Sequence, residues 1–245
     1  MQTFHEALEH SVLERQYVHL VEQPPLFERL TKKLFEWFGH ALVTIYCRLS
    51  VQGRENLPES PFIFCSNHNS HMDTVVLMVS SGLPFKRFGM MAASDYFFNG
   101  KRTFMGLLMN LIPVNRQANF KSIVTAMVAC RAFTKNGGRN LIIYPEGTRS
   151  VNGEIQSFKN GAAVIATELK LPIVPVYIKG THESMPKGKS FIRPRKIRAI
   201  IGKPIYPEKL THERRNGNPL ANYRLLTGAV RAEICNLRER MHHVN

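Results

Sequence analysis

Apolar positions fall into two patterns along the chain. Before about residue 55 they recur at helical spacing, and after it short continuous runs alternate with helical stretches. Residues 3–22 read as a polar, acidic helix, ended by Pro24-Pro25, which opens a second helix over Leu26–Ser50. Apolar runs of strand length then follow at 61–66 (PFIFCS), 87–94 (RFGMMAAS), 111–115 (LIPVN), 140–145 (NLIIYP), 171–178 (LPIVPVYI) and 197–202 (IRAIIG). Between them lie helical patterns. A helix over 119–136 has Asn119 as its cap and Ile123, Met127, Val128 and Ala132 as its stripe, and Gly137-Gly138 stops it. Another runs from Gly161 to Lys170. A last one spans Pro219–Val244, with Tyr223, Leu226, Val230, Ile234, Leu237 and Met241 on one side. Near-continuous apolar strands alternating with helices predict an α/β fold with a mostly parallel central sheet flanked by helices. The pattern change divides a helical N-terminal segment, residues 1–52, from an α/β domain, residues 53–245.

The stretch Lys33–Val51 is the most membrane-like, but Glu36, His40 and Arg48 interrupt it, leaving it short of the ~18 apolar residues of a span. Its apolar residues cover a wide arc and include Trp37, flanked by Lys32, Lys33 and Arg48. It is either a helix lying in a membrane surface or a helix packed on the core. The sequence shows no secretory signal pattern.

Composition narrows the partner. Of 245 residues, 44% are hydrophobic, enough for a core, and the net charge is +15. Residues 185–215 hold ten Lys/Arg against two Glu. Such a balance implies an anionic partner: nucleic acid, a membrane surface or a phosphorylated substrate. The four cysteines are scattered with no CxxC, which suits a reducing compartment and supports neither a disulfide framework nor a cysteine zinc site.

Three polar stretches follow apolar strands, where open α/β sheets place ligands. The first is NHNSHMD, 67–73, carrying Asn67, His68, His71 and Asp73. On a regular helix His68 and Asp73 would stand about 140° apart. They meet if His68 lies in the turn before the helix and Asp73 in its first turn. A carboxylate on one imidazole nitrogen then fixes the tautomer and leaves the other nitrogen as a base. A metal pair of His68 and His71 lacks a third ligand nearby. The second is YPEGTRS, 144–150: Gly147 allows close backbone approach, and the exposed amides with Thr148, Arg149 and Ser150 suit an anion. A plain turn with a Glu146–Arg149 bridge is the alternative. The third is Arg116, ending the run LIPVNR.

The ordered set NHNSHMD, IPVNR, PEGTRS and IVPVYIKG resembles the glycerolipid acyltransferase family, typified by 1-acyl-glycerol-3-phosphate acyltransferases. The resemblance covers roughly residues 50–205, and PEGTRS about 72 residues after Asp73 makes it specific. It implies that His68 is the general base and Asp73 its orienting partner. It implies that Asn67, Arg116, Glu146, Gly147, Thr148, Arg149 and Ser150 bind the acceptor, and that Pro175 is structural or supports the acyl site. The implied reaction moves a fatty acyl group from acyl-CoA or acyl-carrier protein to a lysophospholipid hydroxyl, with no cofactor, metal or acyl-enzyme. It implies a protein associated with the cytoplasmic face of a membrane through its N-terminal helical appendage, with no nucleic acid partner. Two positions depart from the family pattern. Asn115 stands where an acidic residue often precedes the Arg, so another lysolipid or an amine-containing lipid is an alternative acceptor. Residues 94–110 do not match the expected Lys-containing pattern closely, and Lys101 is an uncommitted candidate there. A basic nucleic-acid-binding protein is a remote alternative from another class.

Overall fold

The computed structural model describes residues 8, 10–59, 61–93, 108–114, 120–211 and 218–243. The chain forms two compact units, one of residues 1–36 and 84–142, the other of residues 37–83 and 143–245. Seven strands are described: β1 (Ser50–Gln52), β2 (Ile63–Ser66), β3 (Phe88–Ala93), β4 (Leu111–Val114), β5 (Asn140–Ile143), β6 (Ile173–Lys179) and β7 (Arg198–Ile201). The fold is α/β with a mostly parallel sheet: among the described residues β1–β7, β2–β6, β3–β4 and β3–β5 pair in parallel and β6–β7 antiparallel.

In the second unit the order is β1-β7-β6-β2. β2 runs parallel to β6, from Ile63 opposite Ile173 to Ser66 opposite Val176. β1 runs parallel to β7, while β6 and β7 are antiparallel. Every residue of β2 is buried, as a strand covered on both faces requires. Helix α2 (Met72–Ser81) follows β2 and is buried along nearly its whole length. Helix α4 (Gly161–Leu169) ends at Lys170, which takes the left-handed C-cap conformation. Helix α5 (Pro219–His243) buries Tyr223, Leu226, Val230, Ile234, Leu237 and Met241, the stripe read from the sequence.

In the first unit β3 pairs in parallel with both β5 and β4. Helix α3 (Phe120–Lys135) ends where Gly137 and Gly138 both take positive φ. Its buried face is centred on Val124, Met127, Val128 and Phe133, while Ile123 and Ala132 are half-buried. Gly89 on β3 explains the shift: an added Cβ would stand 2.7 Å from the Phe133 ring, so the ring lies on the glycine. The expected cap Asn119 lies outside the described residues.

Two expectations change at the N-terminal side. In place of a continuous helix over 3–22, residues 11–14 are irregular and a 3-10 turn spans Arg15–Leu20. The bend buries Leu8, Tyr17 and Leu20 while leaving Val12 exposed. Side chains complete the backbone polar groups left over: Arg131 donates to the Leu8 carbonyl, Arg139 to Leu20 and Asn136 to Val21. The second helix ends early. Helix α1 covers Leu26–Ala41 and passes into a π-turn over Leu42–Tyr46. Arg48 then takes φ 50°, and the Ser50 amide donates to Ile197 O at 2.9 Å. Pairing with β7 overrides the helical pattern there and creates β1, which the apolar runs did not announce. Leu26, Phe27, Leu30, Leu34, Trp37 and Phe38 of α1 are all exposed. Among the described residues no helix is long and apolar enough to cross a membrane.

Candidate active site

The site lies in the unit of residues 37–83 and 143–245, at the end of β2. Directly after β2 the backbone leaves the sheet, and the buried Asn67 side chain continues the pairing in its place. Its Nδ2 donates to Ile178 O at 2.9 Å and its Oδ1 accepts the Ile178 N–H at 2.8 Å. Both polar ends of Asn67 are thereby engaged with β6. The resemblance implied substrate contact for this residue; its bonds to Ile178 hold the strand end where the next residue turns away.

That residue is His68, in the turn before α2, with Asp73 in the first turn of the helix. His68 Nδ1 lies 3.0 Å from Asp73 Oδ2. The same oxygen accepts the amides of Asn69 at 2.7 Å and Ser70 at 2.8 Å. Asp73 is fully buried, while the His68 side chain is 16% exposed. The five-residue gap is thus closed by a tight turn that the carboxylate itself organises. A negative charge in the first turn also suits the helix dipole. With Nδ1 held by Asp73, Nε2 is the nitrogen available for proton transfer. His71 is the residue preceding α2 and is half-buried. Among the described residues no group of three or more His, Cys, Asp and Glu is placed to hold a metal.

The PEGTRS loop holds the same histidine from the other side. The His68 ring stacks on Tyr144 with centroids 3.8 Å apart and planes 11° from parallel. The Tyr144 hydroxyl bonds Thr74 Oγ1 at 2.9 Å. Burial pushes this phenol well above its usual range, so it stays neutral. Glu146 Oε1 accepts the His68 N–H at 3.0 Å, and the Ser150 amide donates to His68 O at 2.7 Å. Tyr144, Glu146 and Ser150 therefore fix ring plane, amide and carbonyl of one residue. Glu146 is buried, and that burial pushes its carboxyl up to about 7 against the pull of the His68 and Gln156 amides. Among the described residues, Asn69 Oδ1, Asp73 Oδ1 and Glu146 Oε2 are buried with no hydrogen-bond partner. Such groups are rare in folded proteins, and these three flank the candidate base.

The rest of the loop faces outward. The Gly147 amide closes a turn onto Tyr144 O at 3.0 Å, with φ +72°. Gly147 and Thr148 are exposed, Arg149 is half-buried and Ser150 is buried, its hydroxyl bonded to Asn152 at 3.0 Å. Lys159 packs on the glycine: an added Cβ would lie 3.2 Å from Lys159 Nζ. Lys187 Nζ reaches Thr148 Oγ1 and Arg149 O, each at 3.3 Å. Two amino groups thus join Arg149 around an exposed turn, an arrangement suited to an anion. Arg116, Asn115 and Lys101 lie outside the described residues. Pro175 sits in β6 opposite Cys65, and its carbonyl accepts the Gly202 amide at 2.8 Å, a structural placement.

Sequence reasoning missed Tyr144 and Lys187. Tyr144 reads as the end of an apolar strand, although it directly precedes Pro145. Lys187 is one of many cations in its stretch, and only the fold brings it to Thr148.

Comparison with known proteins gives the arrangement a context. Residues 48–179 match the family model described as Acyltransferase, more than half of the chain. The chloroplastic 1-acyl-sn-glycerol-3-phosphate acyltransferase BAT2 of Brassica napus is 33% identical over 201 residues, covering 78% of this chain and 57% of the relative. The chloroplastic 1-acyl-sn-glycerol-3-phosphate acyltransferase LPAT1 of Arabidopsis thaliana is 31% identical over 191 residues, covering 75% and 52%. The chain spans about half the length of the curated relatives it matches. The crystal structure of the 1-acyl-sn-glycerophosphate (LPA) acyltransferase PlsC from Thermotoga maritima superposes with a TM-score of 0.63 at 24% identity, covering 92% of this chain and 86% of that one. That likeness is one of fold. On the match over residues 48–179, this chain belongs to the acyltransferase family.

Proposed function

We propose that this chain transfers a fatty acyl group from a thioester, acyl-CoA or acyl-carrier protein, to the free hydroxyl of 1-acyl-glycerol-3-phosphate, giving phosphatidic acid. The reading rests on the His68 Nδ1–Asp73 Oδ2 contact of 3.0 Å within an NHxxxxD motif that a PEGTRS loop grips. The relatives named above support the choice of acceptor by their names.

His68 Nε2 takes the proton of the acceptor hydroxyl as its oxygen attacks the thioester carbonyl. Asp73 stabilises the imidazolium that forms. The tetrahedral intermediate collapses, the C–S bond breaks, and the imidazolium returns its proton to the departing thiolate. No covalent enzyme intermediate is needed. The turn at Gly147, with Thr148 and Arg149, forms the anion-binding site for the acceptor phosphate, with Arg116 as a further ligand from the family pattern. Glu146 and Ser150 act mainly by holding His68.

The membrane-facing part is assigned to α1, within residues 1–52, and the chemistry to residues 53–245. Six exposed apolar residues on one helix, Leu26, Phe27, Leu30, Leu34, Trp37 and Phe38, support a helix lying in the bilayer surface. The face involved is the cytoplasmic one, consistent with unbridged cysteines. Purified protein should convert lysophosphatidate to phosphatidate in a matrix of both donors against a lysolipid panel. No transfer to any member of the panel would sink the proposal.

A further inference from the structure

We propose that the loop Pro186–Lys196 is a second membrane contact, selective for anionic lipid, with Phe191 as its inserting side chain. The inference rests on the reading of α1 as a surface-lying helix and adds a separate element with separate chemistry.

The loop carries Lys187, Lys189, Arg193, Arg195 and Lys196 and not one carboxylate. Among the described residues, none of these five cations forms an ion pair with a carboxylate. Phe191 stands between them, 74% exposed. An isolated exposed apolar residue is ordinary. A phenylalanine at mid-loop, enclosed by cations on both sides in sequence, matches the chemistry of a bilayer interface. There the ring enters the acyl boundary and the cations meet anionic headgroups.

The loop is built to hold that side chain outward. Its base is closed by two bonds between the same residues: Arg193 N–H to Ser184 O at 2.9 Å, and Ser184 Oγ–H to Arg193 O at 2.7 Å. Within it, the Lys189 amide bonds Pro186 O at 3.1 Å across Gly188, whose φ is +87°. The Tyr46 hydroxyl donates to Ile192 O at 3.1 Å. That bond joins the loop to the end of the α1 segment, where Ile45 and Tyr46 are exposed. The exposed Tyr46 is thus bonded to the residue that follows Phe191, and Ile45 beside it in sequence is exposed as well. Within the loop Phe191 is the one aromatic ring among five cations, whereas a single strand is held by repeated stacking, which favours lipid over nucleic acid.

The same loop is rooted at the catalytic turn. Ser70 Oγ–H donates to Met185 O at 2.7 Å, and Ser70 is one of the two amides on Asp73. Lys187 reaches Thr148 and Arg149. An anionic lysolipid gathered by the loop would thus lie beside the turn that binds its phosphate.

The test is co-sedimentation of the full chain with two sets of vesicles, phosphatidylcholine alone and phosphatidylcholine with phosphatidylglycerol. The parent should prefer the anionic vesicles. Neutralising Lys189, Arg195 and Lys196 to Gln should remove that preference, a loss on the order of 10²-fold at roughly 5-fold per cation. Phe191→Ser should weaken binding to both vesicle types. Circular dichroism and thermal unfolding of the variants should match the parent, since the three cations and Phe191 carry no described side-chain bonds that close the loop. A paired variant in α1, Leu30→Ser with Leu34→Ser, should lower binding to both vesicles and keep their ratio. If the loop variants keep the parent's ratio, the proposal is overturned while the reading of α1 stands. If the α1 variant binds like the parent, that reading fails instead. A parent that prefers single-stranded RNA over anionic vesicles, with the preference lost in the loop variants, would overturn the lipid assignment.

Discussion

The imidazole of His68 lies flat on the ring of Tyr144, 3.8 Å between centroids. One face of the imidazole is therefore covered, and the stack restrains the ring's rotation. Tyr144→Leu should lower kcat about 2- to 10-fold, the range expected from an aromatic pair contributing about 0.5–1.5 kcal/mol. Tyr144→Phe keeps the ring and loses only the bond to Thr74, so its kcat should stay close to the parent's. Steady-state rates of the two variants separate the face from the hydroxyl.

Removal of the proposed base should have a larger effect. His68→Ala should lower kcat about 10²- to 10⁴-fold, the usual contribution of a positioned general base, with a thermal midpoint near the parent's. Asp73→Asn should behave differently. Three donors converge on Asp73 Oδ2, and a neutral amide is a weaker acceptor for them. Both rate and stability should fall, the latter by about 1–3 kcal/mol. Denaturant unfolding beside the rate assay checks the contrast; equal stability of the two variants would remove the turn-forming role from Asp73.

Glu146 gives the fold a pH dependence. Burial raises its carboxyl from 4.5 to about 7. Between those values the folded chain holds a proton that the unfolded chain has released, so stability falls as pH rises through that window. Glu146→Gln keeps an acceptor for the His68 amide and removes the titration. Urea midpoints at roughly pH 5 and pH 8, bracketing the window, should show the parent losing stability relative to the variant as pH rises. Parallel behaviour of the two would assign the slope to another group.

Gly180, between β6 and the one-turn helix Thr181–Ser184, has φ +98°. An added Cβ would overlap the carbonyl oxygen of Lys196. Gly180→Ala should therefore cost more than the about 1–3 kcal/mol of the backbone strain alone. It should also displace the base of the 186–196 loop. Thermal unfolding with limited proteolysis in that loop reads both effects.

Much of this architecture was legible in the residues because burial is written locally. Continuous runs such as IFCS mark a strand covered on both faces, and the Tyr223–Met241 stripe marks the buried side of α5. Strand direction and short pairings are not local. β1 exists because Ser50 meets Ile197, far along the chain, and β7 turns antiparallel to β6. At the site, residue types and spacing suggested the His68–Asp73 pair. They did not reveal Asn67 as a substitute for backbone pairing, or Glu146 and Ser150 as grips on His68. Those roles depend on bonds between side chains and distant backbone groups, which leave no periodic trace. Tyr144 shows the same limit, since an aromatic at a strand end serves core and site equally well.

One oxygen of Asp73 ties the amides of Asn69 and Ser70 and steadies the imidazole. Folding and arming are consequently a single event. A chain in which this bend has closed already orients the His68 imidazole, and a chain in which it has not closed leaves that ring unheld by Asp73. If His68 is the base, as proposed, a newly made or transiently opened molecule is inactive until the bend closes.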